Sequence, residues 1–150
     1  MIILVMLGIL FVPYLVLTAV GAVWPGLMLD PGLRGRISLA LVFLFTASGH
    51  FVKTRSMSEM LPPWVPGRVP IIYVTGLLEI TGAAGLLVSS TYRLSGTCLI
   101  LFMLAVLPTN IYAALKRVDM GGHGQGPRYL LVRVPLQLVL MIWTYWFAVR

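Results

Sequence analysis

Apolar residues fill five long stretches of this chain, and short polar segments separate them. The stretches cover residues 1–23, 37–52, 69–92, 94–115 and 129–149. An α-helix needs about 20 predominantly apolar residues to cross the hydrocarbon core of a bilayer. Only the stretch at 37–52 is clearly shorter, so its helix must either take extra length from its flanks or lie where the bilayer thins. The pattern predicts an all-α, polytopic membrane helix bundle of five spans that form one transmembrane domain over residues 1–150.

Composition and charge support the bilayer as the main partner of the chain. Hydrophobic residues make up 59% of the sequence and charged residues 10%, whereas soluble proteins average about 25% charged residues. The first stretch has no basic segment in front of it and is too long for a signal peptide, so we predict a spanning helix there. The formal charge of +7 comes from residues dispersed over short loops. This dispersion argues against a nucleic-acid partner and points to membrane orientation instead.

Loop charges give a weak preference for one orientation. Consecutive spans alternate in direction, so the loops 53–68 and 116–128 lie on the same side of the membrane, called side A below. Side A carries six basic residues: Lys53, Arg55, Arg68, Lys116, Arg117 and Arg128. The opposite side, side B, carries four: Arg34, Arg36, Arg93 and Arg150. Because positive charge is favoured on the cytoplasmic side, we predict a cytoplasmic amino terminus.

Glu79 is the most unusual residue in the spans, since it lies near the middle of an apolar stretch. Ionisable groups in membrane spans are costly, at least ~2.5 kcal/mol on insertion scales, and they mark candidate functional sites. At 1.5 Å per helical residue, Glu79 lies about 12–15 Å from side A. Four other polar residues, on three further spans, lie in the same half of the bilayer: His50, Asn110, Arg133 and Gln137. We therefore predict that these five residues line one cavity.

Helical spacing predicts how Glu79 and Arg133 are oriented. The residues three and four positions from Glu79 are all small: Thr75, Gly76, Gly82 and Ala83. A small face permits close helix contact, so Glu79 is expected at a helix interface. Arg133 and Gln137 share a face one turn apart. Arg133 either pairs with Glu79 and fixes the helices in register, or extends toward the headgroups and leaves Glu79 neutral.

The sequence favours neither a metal site nor a dithiol. Cys98 is the only cysteine, and we interpret it as a small packing residue. His50 is a candidate proton carrier or ligand near the membrane surface. The second histidine, His123, lies in a glycine-rich loop that we interpret as a flexible turn, so a metal centre is not predicted.

Other features concern the shape of the bundle. Pro108, two residues before Asn110, is expected to kink its helix and free a carbonyl group, which Asn110 is one candidate to satisfy. The segment 57–66 is expected to lie along the interface with Trp64 as its anchor, in a position to cover the cavity. We assign Trp24, Trp143 and Trp146 to the aromatic belt of side B.

Five phrases of the chain resemble the DoxX and DoxX-like family of small bacterial membrane proteins. They are Ser48-Gly-His-Phe51, Met60-Leu-Pro-Pro-Trp-Val-Pro66, Tyr73-Val-Thr-Gly-Leu-Leu-Glu79, Leu107-Pro-Thr-Asn-Ile111 and Arg133-Val-Pro-Leu-Gln137. The resemblance covers about residues 37–149 and implies a four-helix DoxX-like core with one extra N-terminal transmembrane helix. It also implies the bacterial cytoplasmic (inner) membrane, a link to redox or quinone-dependent systems, and a partner subunit or homo-oligomer. No cofactor is intrinsic to the sequence, so any redox molecule is a bound quinone or another lipophilic compound.

Three functions are compatible with these residues. In the first, the chain is an accessory or quinone-site subunit that anchors a partner and binds a lipophilic redox molecule. The binding residues are then Glu79, Asn110, Arg133, Gln137 and His50. In the second, the chain is an isomerase- or cyclase-type membrane enzyme with Glu79 and His50 as the catalytic acid–base candidates. In the third, it is a structural assembly subunit whose polar residues only connect the helices.

Overall fold

The computed structural model describes residues 2–24, 26 and 29–150. Its helices are α1 (Ile2–Val23), α2 (Pro31–Val52), α3 (Thr54–Ser58), α4 (Arg68–Leu87), α5 (Tyr92–Leu115) and α6 (Leu130–Thr144). A 3₁₀ segment (His123–Tyr129) precedes α6, and a π-helical turn (Tyr145–Val149) follows it. The described residues contain no β-strand. Five helical segments are long and apolar enough to cross a membrane, which confirms the predicted all-α fold with five candidate spans.

Two predicted helix boundaries were wrong. Helix α2 begins at Pro31 rather than at residue 37, because the backbone N–H of Leu33 donates to Asp30 Oδ1 at 2.9 Å and caps the helix. Proline at the first helical position has no N–H to leave unpaired. The longer α2 has 22 residues, which is long enough to cross a hydrocarbon core of about 30 Å. Helix α4 ends at Leu87 rather than at residue 92, because Val88 adopts an extended conformation.

Helix α2 lies at the centre of the bundle and packs against α1, α4 and α6. The core between the helices is apolar, with Leu10, Leu39, Val42 and Leu86 fully buried. Large apolar side chains also cover much of the outer surface of all five spans, as expected for helices that face lipid. The fold therefore buries one apolar core inside and offers a second apolar surface to the bilayer.

The structure corrects the roles of two side chains. Trp143 does not serve only as a belt residue: its Nε1–H donates to the carbonyl of Gly35 at 3.1 Å, and its ring packs against Phe11 and Tyr14 of α1. This packing connects α1 to α2 and α6. Cys98 is exposed on α5 instead of packed in the core.

Candidate functional site

A cavity of about 320 Å³ lies at side A of the bundle. Its walls come from the start of α1, the end of α2, the segment after α2, α4, α5, the loop before α6, and α6 itself. Four of the five predicted site residues line it: His50, Glu79, Asn110 and Arg133. The fifth, Gln137, lines a smaller inner cavity of about 40 Å³ that shares Glu79 and Arg133 with the larger one. The segment predicted to cover the cavity contributes Met57 and Met60 to its walls, and the loop before α6 contributes Met120.

Glu79 is held at the interface between α4 and α2. Its side chain is buried, with 6% of the residue exposed. The hydroxyl of Thr46 donates to Glu79 Oε2 at 2.8 Å, and His50 Nε2 lies 3.6 Å from Oε1. Ala83, one turn further along α4, is completely buried. Glu79 therefore faces a helix interface, as the small-residue pattern predicted.

His50 is fixed in place by a second set of contacts. Its Nδ1 lies 2.9 Å from the carbonyl of Ile72 and 3.0 Å from the hydroxyl of Thr75. A carbonyl oxygen only accepts, so Nδ1 carries a hydrogen and Nε2 is the atom turned to Glu79. At 3.6 Å the contact between Nε2 and Oε1 is an ionic contact rather than a hydrogen bond. The arrangement is a histidine–carboxyl pair whose geometry is set by the α4 backbone.

Arg133 does not form the direct ion pair with Glu79 that was one of its two predicted interpretations. Within the described part of the chain, the carboxyl of Glu79 has only His50 as an ionic neighbour within 4.0 Å. Helix α2 packs closely against α4, so Thr46 contacts one carboxyl oxygen of Glu79 and His50 lies near the other. Arg133 Nη1 lies 3.8 Å from the sulfur of Met6, and its buried Nε has no hydrogen-bond partner among the described residues.

Asn110 and Gln137 connect α5 to α6 beneath the cavity. Asn110 Nδ2 donates to Gln137 Oε1 at 3.5 Å, and Gln137 Nε2 donates to the carbonyl of Met103. Pro108 has no N–H, so the carbonyl that loses its helical partner is that of Leu104, four residues earlier. Asn110 donates to Gln137, and Gln137 donates to the neighbouring carbonyl of Met103. Both amides are buried and engaged with protein groups.

A family model described as a domain of unknown function, DUF8561, matches residues 39–148. The chain belongs to the DUF8561 family. Neither the curated proteins nor the solved structures contain a match to it. The DoxX resemblance stays a prediction that these comparisons do not test.

The DUF8561 match includes every polar residue of the site and leaves out α1. Helix α1 nevertheless completes the cavity, because Met6 lines both cavities and contacts Arg133. The family region therefore supplies the polar chemistry, while α1 supplies an apolar wall.

Sequence reasoning missed Thr46, which lies one helical turn before His50 on the same face of α2. That i, i+4 spacing was a usable signal, because both side chains meet Glu79. It also missed His123, which lines the cavity and is only 3% exposed. No local pattern indicates this position, since His123 comes from a loop between spans.

The loop that carries His123 is a defined structure. Gly122 has φ of 107°, a conformation that suits glycine, and a Cβ there would lie 2.6 Å from the Tyr129 ring. The hydroxyl of Tyr129 donates to the carbonyl of Gly121 at 2.6 Å. The His123 and Tyr129 rings pack edge to face at 4.8 Å. Together these contacts hold His123 at the cavity wall.

The described residues contain no group of three His, Cys, Asp or Glu side chains close enough to hold a metal ion. The side chains of Glu79, His50 and His123 can exchange protons and form hydrogen bonds, and Arg133 adds a positive charge to the cavity wall.

Proposed function

We propose that this DUF8561 protein binds the polar head of a lipid-soluble molecule, of the quinone class, and presents it to a partner of a membrane redox system. The observation that carries the proposal is the cavity of about 320 Å³ in which apolar walls surround a few convergent polar groups. Ligand sites commonly occupy about 300–1,000 Å³ and have this composition. A volume at the lower end suits a head group, whose tail then extends along the helices.

The membrane setting supports a lipid-soluble ligand over a water-soluble one. The protein has five candidate spans, and its cavity lies among them near side A. The quinone class and the redox partner rest on the DoxX resemblance, and so does the proposed bacterial inner membrane. The loop charges place the amino terminus, and with it side A, toward the cytoplasm in this proposal.

Proton-transfer catalysis is the second candidate, and the contact between His50 and Glu79 favours it. Their side chains lie 3.6 Å apart, slightly beyond hydrogen-bond distance, and contacts between catalytic acids and bases often tighten only when a substrate binds. In this reaction class, an isomerase or cyclase, Glu79 faces the substrate while His50 relays the proton toward side A. The anchored geometry of His50 keeps its Nε2 directed at Glu79.

A binding experiment tests the first proposal. The protein is purified into lipid nanodiscs, and saturable binding of decylubiquinone is measured against empty nanodiscs. Thr46→Phe places a large ring beside Glu79 and should abolish binding. Thr81→Phe is the matched control, because Thr81 is exposed on the outer face of α4. Absence of saturable binding, or equal binding by both variants, would refute the proposal.

Glu79→Gln separates the two candidate functions. The amide keeps the shape of the side chain and accepts the hydrogen bond from Thr46, but it cannot ionise. Decylubiquinone binding should persist in this variant. If a substrate conversion is found, its survival in Glu79→Gln would exclude the acid–base role, while Glu59→Gln, at an exposed loop position, controls for loss of one carboxylate.

A further inference from the structure

Two buried polar atoms on the wall of the cavity have no partner among the described residues. They are Nε of Arg133 and Nε2 of His123. Both residues line the cavity of about 320 Å³. Buried polar groups in native proteins are nearly always hydrogen-bonded, and an unmet one costs about 1–3 kcal/mol. A polar partner is therefore expected to enter from the cavity.

The hydrogen-bonding roles of these two residues differ. Arg133 only donates, through a planar fork that matches two adjacent oxygens. His123 Nδ1 lies 2.6 Å from the carbonyl of Met120, so that nitrogen carries a hydrogen and neutral Nε2 accepts. A partner for both must present an accepting oxygen to Arg133 and a hydroxyl to His123. If the ligand hydroxyl gives its proton to His123 Nε2, the ionised ligand accepts hydrogen bonds from both His123 and Arg133.

The charged residues around the cavity also favour an acidic ligand. Lys53 and Arg133 line it as cations, and Glu79 is its one carboxyl group among the lining residues. That carboxyl is already engaged by Thr46 and His50. The hydrogen-bond contact of Arg133 among the described residues is to the sulfur of Met6, which is a weak acceptor. The positive charge of Arg133 is therefore available to a ligand.

We infer that Arg133 and His123 form a subsite for an acidic head group, in which a carbonyl-type oxygen stands next to an ionisable hydroxyl, on a lipid-soluble body. The inference rests on the part of the proposed function that places the head of a lipid-soluble molecule in the cavity, and it specifies the chemistry of that head group rather than the quinone class. Long-chain carboxylic acids have this head group. Among quinones, those with an acidic ring hydroxyl beside a carbonyl have it too.

The subsite divides the cavity into two functional sides. On one side, Glu79 of α4 and His50 of α2 form the histidine–carboxyl pair. On the other side, Arg133 of α6 and His123 of the preceding loop bind the acid. An acid held by Arg133 places its attached carbon skeleton within the same cavity as Glu79. The ligand charge is thus balanced by Arg133 without disturbing the histidine–carboxyl pair.

The test is binding of radiolabelled laurate to the full chain in zwitterionic nanodiscs, with empty nanodiscs as background. Wild-type protein should bind laurate saturably, while dodecanol and methyl laurate, which each lack one half of the acid group, should compete much less well. An alkylated hydroxynaphthoquinone should compete with laurate, and its methyl ether should not. These comparisons use wild-type protein and do not depend on any variant folding.

Variants then locate the subsite. Arg133→Gln removes the charge and should weaken laurate binding by about 10- to 100-fold, the range of a charged hydrogen bond. Arg133→Lys keeps the charge without the planar fork, so its affinity for laurate should lie between those of wild type and Arg133→Gln. Arg128→Gln is the matched control, because Arg128 is an exposed cation on the same side that does not line the cavity. His123→Gln should weaken the binding of laurate more than it weakens the binding of dodecanol.

The outcomes separate this inference from the proposed function. Equal binding of laurate and dodecanol, or an Arg133→Gln variant as tight as Arg128→Gln, would overturn the acid subsite. If decylubiquinone binds saturably while laurate does not, the subsite falls and the proposed function stands; if neither binds, both fall. If acetate competes as strongly as laurate, the cavity binds anions, but the claim that the bound acid carries a lipid-soluble body is wrong.

Discussion

Gly76→Ala is the sharpest test of how α4 and α2 hold the site together. A Cβ on Gly76 would lie 2.7 Å from Cβ of His50 and 3.0 Å from Cε2 of Phe51. Ordinary carbon–carbon contacts are about 3.5–4.0 Å, so the two helices must separate by about 1 Å. The obstacle is the base of His50 rather than a flexible end, so rotation of a side chain does not relieve it.

The expected cost follows from this displacement. Overpacking of a core contact costs about 1–3 kcal/mol. A shift of about 1 Å would also lengthen the 2.8 Å contact between Thr46 and Glu79 beyond hydrogen-bond distance, which adds about 0.5–1.5 kcal/mol. The two costs sum to about 1.5–4.5 kcal/mol, and alanine gains about 0.5–1 kcal/mol over glycine within a helix, so we expect Gly76→Ala to lose about 0.5–4 kcal/mol of stability. Laurate and decylubiquinone binding should weaken as well, because His50 and Glu79 move apart.

Unfolding in detergent, followed by circular dichroism against added denaturant, measures the stability change. Gly49→Ala on α2 is the matched control, since its new Cβ would meet only the sulfur of Met57 at 3.9 Å. A glycine-to-alanine change in a helix with free space gains up to about 0.5–1 kcal/mol. The two variants should therefore shift in opposite directions. A Gly76→Ala protein as stable as wild type would refute the close packing of α4 on His50.

Three further substitutions test individual contacts. Thr46→Val removes the only hydroxyl that donates to Glu79 among the described residues and should cost about 1–3 kcal/mol in denaturant unfolding, whereas Thr46→Ser should stay near wild type; equal loss in both would contradict the role of the hydroxyl. Gly122→Ala, at a φ of 107°, should raise amide hydrogen exchange throughout the loop before α6, while Gly124→Ala, with its nearest atom at 3.8 Å, should not. Trp143→Phe keeps an aromatic ring but loses one hydrogen bond, so its unfolding free energy should drop by about 0.5–1.5 kcal/mol; no drop would argue against that bond.

The five spans and the buried face of Glu79 could be predicted because they depend on local pattern. Apolar runs of sufficient length indicate membrane helices, and small residues at i±3 and i±4 place Glu79 at an interface. The boundary of α2 was harder, because the cap by Asp30 extends the helix through polar residues that interrupt the apolar run. Hydrophobicity alone does not detect such a cap.

The partners of Glu79 depended on which helix packs closest to it. Arg133 was a reasonable candidate because its depth along the spans is close to that of Glu79. Depth, however, compares positions along the membrane normal and says nothing about which helices are neighbours around the bundle. The structure brings α2 against α4, so Thr46 and His50 reach the carboxyl first. His123 shows the same limit, because loop closure rather than helical period brings it to the wall.

By itself, then, the sequence determined five helices that are long and apolar enough to span a membrane, and it predicted a set of polar residues toward one end of them. Those properties follow from the cost of placing polar groups in hydrocarbon, which acts on each segment separately. The tertiary structure alone decided that Glu79 contacts His50, that Arg133 forms no ion pair with Glu79 among the described residues, and that His123 lines the same cavity as Arg133. These pairings depend on which side chains approach within a few ångströms, and only the packing of the helices sets that distance.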